Sequence, residues 1–266
     1  YWDFTASLAG GLGLTLPTLD LLVPLGLSFY TFQAVGYVID TYRGKVEPEK
    51  NPLKYLLFVS FFPQMTQGPI GRYGELAPQL LRGNGFSWEN CRAGLTDILA
   101  GLLKKLVLAD RAGVVVSAVI DHYTEYSGSV IAFAVLLYCL QIYCDFSGGI
   151  DLVRGVARLY GVELAENFRR PFFATSAADF WRRWHISLGT WMKDYVFYPL
   201  SLSRPFLKLG KFTRRRVGGR LGKLIPSALA TFVIYLIIGF WHGAQWKYVA
   251  FGIWNGAIIS LPQLLK

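Results

Sequence analysis

Three histidines are the side chains of this chain best suited to proton transfer near neutral pH: His122, His185 and His242. An imidazole has an ordinary pKa of about 6.5, so it can accept a proton from a hydroxyl group as a general base. His242 follows the uncharged run LIPSALATFVIYLIIGFW, and an ionisable group at the end of such a run is a functional candidate by default. His122 lies in the acidic segment DHYTEY and is best explained as a solvated loop residue.

His185 lies in a segment, 145–199, that is too charged for a simple membrane span and is rich in aromatic residues. Ser176 and Asp179 have the S-x-x-D spacing that caps the start of a helix. Beyond them a stripe recurs at spacings of four, four and three, formed by Phe180, Trp184, Leu188 and Trp191. We therefore expect one continuous amphipathic helix with His185 beside this stripe. On this pattern alone, packing is favoured slightly over catalysis for His185.

Other catalytic signatures are missing from the sequence. No serine fits the nucleophile-elbow pattern G-x-S-x-G, and GGRLGK lacks the Walker A spacing of a nucleotide site. Neither His185 nor His242 has a Cys or Glu at ligand spacing, so no metal site is expected. The three cysteines form neither a disulfide framework nor a zinc pattern. Direct acyl transfer to a hydroxyl, without a covalent enzyme intermediate, needs the fewest catalytic groups.

Two carboxylates form a further candidate cluster. Asp145 and Asp151 bracket a Ser-Gly-Gly turn in CDFSGGID, directly after an apolar window. Carboxylates at a break in a membrane helix either bind cations or hold a backbone turn. The structural role is favoured, and cation binding stays open.

The composition argues against a soluble protein. The chain has 266 residues, of which 53% are hydrophobic and 17% charged, whereas charged residues make up about a quarter of a soluble domain. Asp, Glu, Lys and Arg are missing from six windows of 16 to 23 residues: 4–19, 21–39, 55–71, 126–144, 224–246 and 248–265. A membrane-spanning helix needs about 20 apolar residues. The sequence therefore predicts an all-α, polytopic membrane protein.

Three segments depart from plain spanning helices. Pro24 and Gly26 lie inside 21–39, where neighbouring helices would have to satisfy the freed backbone groups. The window 55–71 ends in FFPQMTQGPIG, which favours a broken or re-entrant segment over a straight helix. Apolar residues recur at helical spacing in 94–109, which predicts an amphipathic helix. This helix either lies along the membrane interface or packs within a bundle, and the sequence leaves both open.

The positive charge is concentrated in one segment. Eight cations and no acid lie in 204–223, which accounts for most of the net charge of +10. Short basic loops beside apolar spans stay in the cytoplasm and attract anionic lipids, so we predict a basic cytoplasmic loop. Nucleic-acid binding is not expected, since these cations lie between spans rather than on a folded basic face. With this loop in the cytoplasm, and provided that 145–203 makes no complete crossing, 126–144 enters the cytoplasm near Asp145; one crossing in 145–203 would reverse this orientation.

The ends of the chain suggest a fragment. The first residue is Tyr rather than Met, no signal peptide precedes the first window, and Lys266 follows an apolar window directly. We therefore expect 1–266 to be a single membrane-embedded region with truncated termini.

Four segments together resemble the membrane-bound O-acyltransferase (MBOAT) family over nearly the whole range 21–261. They are PLGLSFYTFQAVGYVIDTYRG (24–44), YCDFSGGIDLVRGVARLYGVELAENFRRPF (143–172), FWRRWHISLGTWMKDYVFYPL (180–200) and GFWHGAQWKYVAFGIWNG (239–256). The resemblance is closest to the bacterial branch with alginate O-acetylases and D-alanyl-lipoteichoic acid transferases. RRWHISL-x-x-W followed by WHGA is its most specific feature, whereas Gly149 and Ile150 depart from the residues often found after DFSG.

The resemblance implies a helical bundle around a funnel or tunnel, with amphipathic and re-entrant helices, and acyl transfer to a hydroxyl. It implies that His242 is the principal catalytic residue and that His185 supports it, the two imidazoles meeting at the tunnel. Residues expected to line the same region are Trp184, Trp241, Asn255 and Asp145. No bound cofactor is expected. The implied co-substrate is an acyl thioester, either acetyl-CoA or an acyl-carrier protein.

The sequence thus predicts a multi-pass O-acyltransferase of the cytoplasmic membrane. It would transfer an acyl group, most readily acetyl, from a cytoplasmic thioester to a cell-envelope polysaccharide or an extracytoplasmic relay protein. The expected partners are the lipid bilayer, the donor, and either an extracytoplasmic acyltransferase or a cytoplasmic carrier protein. The alternatives are D-alanyl transfer to lipoteichoic acid, a transporter or channel, and a non-catalytic docking platform.

Overall fold

Apolar surroundings require that backbone N–H and C=O groups bond within the protein, and helices meet this requirement locally. The computed structural model describes residues 2–11, 14, 15, 17 and 26–265, and helices account for most of them. The helices are α1 (Trp2–Gly11), α2 (Leu27–Tyr42), α3 (Pro52–Val59), α4 (Tyr73–Leu81), α5 (Trp88–Leu102), α6 (Asp110–Asp121), α7 (Gly128–Leu159), α8 (Ala177–Arg183), α9 (Ile186–Met192), α10 (Tyr198–Ser201), α11 (Arg204–Val217), α12 (Leu221–His242) and α13 (Trp246–Leu265).

Chain contacts divide the protein into two compact units. The first, which we call the His185 unit, comprises 25–169 and 183–187. The second, which we call the His242 unit, comprises 1–24, 170–182 and 188–266. Each unit is described by itself below.

Three described helices are long and apolar enough to cross a membrane: α7, α12 and α13. They correspond to the predicted windows 126–144, 224–246 and 248–265. The windows 4–19 and 21–39 extend outside the described residues, and α2 covers the second half of the latter.

In the His185 unit, the predicted amphipathic helix is confirmed, and it packs within a bundle. The segment 94–109 forms most of α5 and a π-helical turn, Leu103–Ala109, that joins α5 to α6. Its leucines face outward: Leu99 is 66% exposed and Leu103 55%. Its small and charged residues lie against α7 instead. This arrangement is the reverse of a soluble amphipathic helix and suits a helix whose apolar face meets lipid.

Two glycine pairs bring α5 and α7 into close contact. A Cβ on Gly101 would lie 2.6 Å from the carbonyl oxygen of Gly148, and a Cβ on Gly155 would lie 2.6 Å from that of Gly94. The pairs are seven residues apart on both helices, as an antiparallel pairing requires. Small residues at such crossings let the backbones of membrane helices approach closely.

Ion pairs occur beside the glycine contacts. Arg158 Nη1 lies 2.7 Å from Asp97 Oδ2, and Lys104 Nζ lies 2.5 Å from Asp151 Oδ2. Each side of the contact carries one acid and one base: Asp97 of α5 and Lys104 of the π-helical turn on one side, and Asp151 and Arg158 of α7 on the other. A register shift would therefore place like charges together, so these pairs specify one antiparallel register.

The window 55–71 is broken, as the sequence predicts. Asn51 caps α3 by accepting a hydrogen bond from Leu53 N at 2.9 Å. After α3 the chain makes a 3₁₀ turn, Phe62–Gln64, and then continues without helix until α4. A buried core holds this turn between α3, α4 and the end of α7, formed by Phe58, Phe61, Tyr73, Leu76, Ala77, Ala157, Val162 and Leu164.

In the His242 unit, α12 and α13 form an antiparallel hairpin. A Cβ on Gly252 would lie 2.7 Å from the carbonyl oxygen of Tyr235, so the two helices meet at a glycine here as well. The segment predicted as a basic loop contains a helix, α11, which packs on α12 and donates a hydrogen bond from Thr213 Oγ1 to Gly222 O at 2.7 Å. Its cytoplasmic location stays a prediction.

The glycine contacts of α5 and α7 give a stability prediction. We expect Gly101→Ala to lower the free energy of unfolding by about 1–3 kcal/mol, because the added Cβ forces the helices apart. Gly128→Ala in α7 is the matched control, since a Cβ there meets no atom within 4 Å. Thermal unfolding in detergent, followed by tryptophan fluorescence, measures both; equal stability of the two variants would contradict the packing argument.

Candidate active-site histidines

The prediction of one continuous helix through His185 is wrong. Ser176 does cap α8, accepting a hydrogen bond from Asp179 N at 3.1 Å, but α8 ends at Arg183 and α9 begins at Ile186. His185 lies in the break with a φ of 47°. This left-handed conformation costs about 1–2 kcal/mol for a residue with a Cβ. Such strained residues are often found at functional sites, where the surrounding contacts maintain them.

A buried asparagine provides these contacts within the His185 unit. The Asn167 side chain is fully buried, and its Oδ1 accepts hydrogen bonds from Ser187 N at 3.0 Å and Ser187 Oγ at 2.9 Å. The backbone oxygen of Asn167 accepts a hydrogen bond from Ile186 N at 3.0 Å. Asn167 therefore bonds to both residues that follow His185 and fixes the chain at the break.

The side-chain oxygen of Asn167, Oδ1, also lies 3.3 Å from Nδ1 of His185. Because a backbone N–H can only donate, the atom that Ser187 N contacts must be the amide oxygen rather than the amide nitrogen. For a hydrogen bond to this oxygen, Nδ1 must carry the proton. In the neutral imidazole the lone pair then lies on Nε2, which can act as a base or, once protonated, as a donor.

Aromatic side chains surround this imidazole. His185 is only 4% exposed, and its ring meets the ring of Phe146 edge-on at 4.8 Å. The predicted tunnel residue Trp184 packs against Phe168 at 5.0 Å, and these two residues form an isolated antiparallel β-bridge. Trp184 thus belongs to an aromatic wall beside His185.

The broken segment after α3 is hydrogen-bonded to Ser187 and, through it, to Asn167. Ile70 N donates a hydrogen bond to Ser187 Oγ at 3.0 Å, which in turn bonds to Asn167. Several buried polar atoms nearby have no hydrogen-bond partner in the described part of the chain: Gln64 Oε1 and Nε2, Ser147 Oγ and Asn167 Nδ2. Unsatisfied buried polar atoms are uncommon and indicate sites for water or ligand. Sequence reasoning missed these residues, because each one is unremarkable in its own segment.

Asp145 is an ion-pair residue. Its Oδ1 lies 2.6 Å from Lys105 Nζ, and Asp110 lies 2.7 Å from the same ammonium group. The turn predicted between Asp145 and Asp151 is wrong, because α7 continues as a helix through both residues. Asp145 does not hold a backbone turn; its ion pair ties α7 to the start of α6.

His242 is the last residue of α12, in the His242 unit, and its side chain is exposed. Its ring centroid lies 4.8 Å from that of Trp241, 5.7 Å from Phe251 and 6.3 Å from Tyr248, on which it stacks. Gly243 permits this stacking, because a Cβ at that position would lie 2.5 Å from the Tyr248 ring.

The remaining sequence candidates are also placed. Asn255 donates a hydrogen bond to Phe251 O at 2.9 Å within α13, so its amide lies one turn from a ring that contacts His242. His122 is exposed, with Nδ1 3.6 Å from Glu125, as expected of a solvated loop residue. The candidate residues thus divide between the units: Asp145, Trp184 and His185 in one, and Trp241, His242 and Asn255 in the other.

Spanning helices, glycine-packed helix pairs and a broken apolar segment define a helical membrane protein. Its two motif histidines lie at helix boundaries, His185 directly before α9 and His242 at the end of α12. The chain belongs to the membrane-bound O-acyltransferase family, whose model matches residues 48–265. Both histidine motifs lie inside this range.

Curated relatives place the chain in the bacterial part of this family. It is 31% identical over 92% of its length to the probable alginate O-acetylase AlgI of Azotobacter vinelandii, covering 46% of that protein. It is 33% identical over 92% of its length to the peptidoglycan O-acetyltransferase of Helicobacter pylori, covering 48%. It is 30% identical over 90% of its length to the teichoic acid D-alanyltransferase of Streptococcus thermophilus, covering 56%. The chain therefore spans about half the length of these relatives.

The role of Asn167 gives a second prediction. Asn167→Leu leaves the two partly buried donors of Ser187 without their acceptor, so we expect a loss of about 1–3 kcal/mol in the free energy of unfolding. Asn167→Asp keeps the acceptor oxygen and places a negative charge beside His185, which stabilises the imidazolium form.

We therefore expect Asn167→Asp to fold and to shift the alkaline limb of the pH–activity profile toward higher pH, because the added negative charge keeps Nε2 protonated, and so able to donate a hydrogen bond, to higher pH. Thermal unfolding and a pH–rate profile check the two variants. An unchanged profile in Asn167→Asp would show that Asn167 only holds the backbone.

Proposed function

We propose that this protein is an acyltransferase that moves an acetyl group from a cytoplasmic thioester to a hydroxyl group on the other side of the cytoplasmic membrane. The observation that carries the proposal is the presence of both histidine motifs of the family, one of them with a buried, oriented imidazole. The acceptor is a hydroxyl of a cell-envelope polysaccharide or of an extracytoplasmic relay protein. The protein is a multi-pass membrane protein on this proposal.

His242 is the general base of the reaction. Its imidazole takes the proton of the acceptor hydroxyl while the oxygen attacks the thioester carbonyl carbon. A C–O bond forms, the C–S bond breaks as the tetrahedral intermediate collapses, and His242 passes the proton to the leaving thiolate sulfur. The ring is exposed at the end of α12, where a substrate hydroxyl can reach it.

His185 polarises the carbonyl oxygen or the sulfur of the thioester. The Asn167 contact occupies Nδ1 of His185, which supports Nε2 as the nitrogen that meets the thioester. In its protonated form this nitrogen donates a hydrogen bond to developing negative charge, which is more effective in a buried site than in water. The fixed backbone at the break removes the need to reorient the ring during each turnover.

Acetyl is favoured over D-alanyl as the transferred group by the relatives. The alginate and peptidoglycan O-acetyltransferases cited above are 31% and 33% identical to this chain, whereas teichoic acid D-alanyltransferases are 30% and 26% identical. D-alanyl transfer from a carrier protein is the second candidate, and these latter relatives support it. Assays with acetyl-CoA and with a D-alanyl carrier protein as labelled donors separate the two.

The catalytic proposal predicts a large loss of turnover in His242→Ala. General base catalysis contributes roughly 10²–10⁴-fold to a rate, so we expect a decrease of that size in label transfer by membranes containing the variant. His122→Ala is the matched control, because it removes an exposed imidazole outside both motifs. His242→Ala with the turnover of His122→Ala would rule out the assignment.

A further inference from the structure

The segment predicted as a basic loop, 204–223, folds into a fixed basic surface of the His242 unit. Its helix, α11, packs on the first turn of α12, where a Cβ on Gly222 would lie 2.4 Å from the Cα atom of Arg214. Gly210 and Thr213 are the buried residues of α11, and Thr213 donates the hydrogen bond to Gly222 O. One face of α11 is therefore held against a spanning helix, and the other face is presented outward.

A stripe of cations covers the outward face of α11. Its members recur at spacings of four, three and four, which places them on one side of a helix: Arg204, Lys208, Lys211 and Arg215. All eight cations of the segment are exposed, and no carboxylate whose side chain the structure describes forms an ion pair with any of them. We call these eight side chains the basic patch: Arg204, Lys208, Lys211, Arg214, Arg215, Arg216, Arg220 and Lys223.

Apolar side chains lie beside these cations. Leu207 is 52% exposed and Phe212 57%, and the guanidinium group of Arg216 lies 5.7 Å from the centroid of the Phe212 ring. Exposed apolar residues next to long cationic side chains are typical of helices at a membrane interface. There the apolar groups meet acyl chains while the charges meet headgroups.

The basic patch reaches the level at which a membrane span begins. α12 starts at Leu221 and is long and apolar enough to cross a membrane. A hollow of about 460 Å³ lies at this point, lined by Gly219, Arg220, Lys223 and Leu224. Two cations and a leucine around an open space suit a phosphate group whose attached chains continue along the apolar helix. This position favours a lipid over a soluble anion.

We propose that the basic patch binds the phosphate headgroups of anionic phospholipids. The headgroups neutralise cations that no described carboxylate neutralises, and the exposed apolar residues of α11 contact the upper part of the acyl chains. Each Lys or Arg near an anionic membrane surface strengthens such binding roughly fivefold. Bound lipids hold α11 at the membrane surface and, through the contact of Thr213 with Gly222, hold the start of the helix that ends at His242.

Lipid competition tests this proposal without any turnover, so its outcome does not depend on the catalytic role of His242. The full chain is purified in mild detergent and offered an equimolar mixture of phosphatidylglycerol and phosphatidylcholine with identical acyl chains. Native mass spectrometry then records which lipid is retained. We expect a preference for phosphatidylglycerol of about tenfold or more, as two cations to a headgroup would give, and a smaller preference at higher ionic strength. Equal retention of the two lipids overturns the proposal.

Paired lysine variants localise the preference. Lys208→Gln with Lys211→Gln removes two cations of the stripe, and we expect the preference to fall about fivefold or more. The matched control is Lys50→Gln with Lys54→Gln, which removes the same charge from two exposed lysines outside the patch. The control should keep the preference of the unchanged protein. A preference that survives the stripe variant, or that falls equally in the control, places the lipid elsewhere and overturns the proposal.

Thermal unfolding provides a second measurement on the same proteins. Because all four lysines are exposed, both variants should unfold at the temperature of the unchanged protein in lipid-free detergent. Added phosphatidylglycerol should raise the unfolding temperature of the unchanged protein and of the control, since a ligand that binds the folded state stabilises it. It should raise that of the stripe variant less. An equal rise in all three proteins contradicts binding at the patch.

Soluble polyanions and free phosphate are the competing occupants. Poly-glutamate represents an acidic protein partner, and a short DNA duplex represents a nucleic acid. If either binds through Lys208 and Lys211 while the two lipids are retained equally, the patch serves a soluble polyanion and the lipid proposal fails. Displacement of phosphatidylglycerol by inorganic phosphate, but not by sodium chloride of the same ionic strength, would identify a site for free phosphate and would likewise overturn it.

Discussion

The pairing of α5 with α7 is the constraint on which the His185 unit depends. Both helices carry acids and bases in their facing surfaces, and in apolar surroundings these groups are tolerated only when they are paired. The pairing of Asp97 with Arg158 and of Lys104 with Asp151 meets that condition in one register. The glycine contacts allow the backbones to come close enough for these side chains to meet. Charge and shape thus select the same arrangement.

With α7 fixed in this way, another face of the helix contacts the broken segment and the His185 ring. A Cβ on Gly149 would meet the side chain of Gln67, and a Cβ on Gly68 would lie 3.3 Å from Val153. The broken segment therefore lies against the middle of α7. That segment presents Ile70 to Ser187, and Phe146 of α7 meets the His185 ring. The strained backbone of His185 is therefore held by contacts whose own positions follow from the α5–α7 register.

The two histidines occupy different local settings that suit different roles. His185 is buried, and a fully buried amide fixes its tautomer. His242 is exposed at the end of a helix, where a glycine lets an aromatic ring stack on it. These settings are consistent with the proposed roles of His185 as a fixed donor and His242 as an accessible base. α9 begins directly after His185 and α12 ends at His242, so each imidazole lies beside irregular backbone rather than in the middle of a helix.

Much of the architecture is determined by the sequence alone. Charge-free windows predict the spanning helices α7, α12 and α13, and the prolines and glycines of 55–71 predict the break after α3, because these are local properties of composition and backbone. The cap at Ser176 is correctly predicted for the same reason. The two histidine motifs identify the family.

Only the tertiary structure decides which face of 94–109 packs and where the helix around His185 breaks. Helical periodicity shows that a segment has two faces, but not which of them meets protein and which meets lipid. The stripe from Phe180 to Trp191 fits an unbroken helix, and the contact that disrupts it comes from Asn167, 18 residues before His185. Ile70 likewise acquires its significance only when distant segments meet. Local sequence encodes local backbone preference, whereas the hydrogen bonds and charges of a site depend on pairs that the fold brings together.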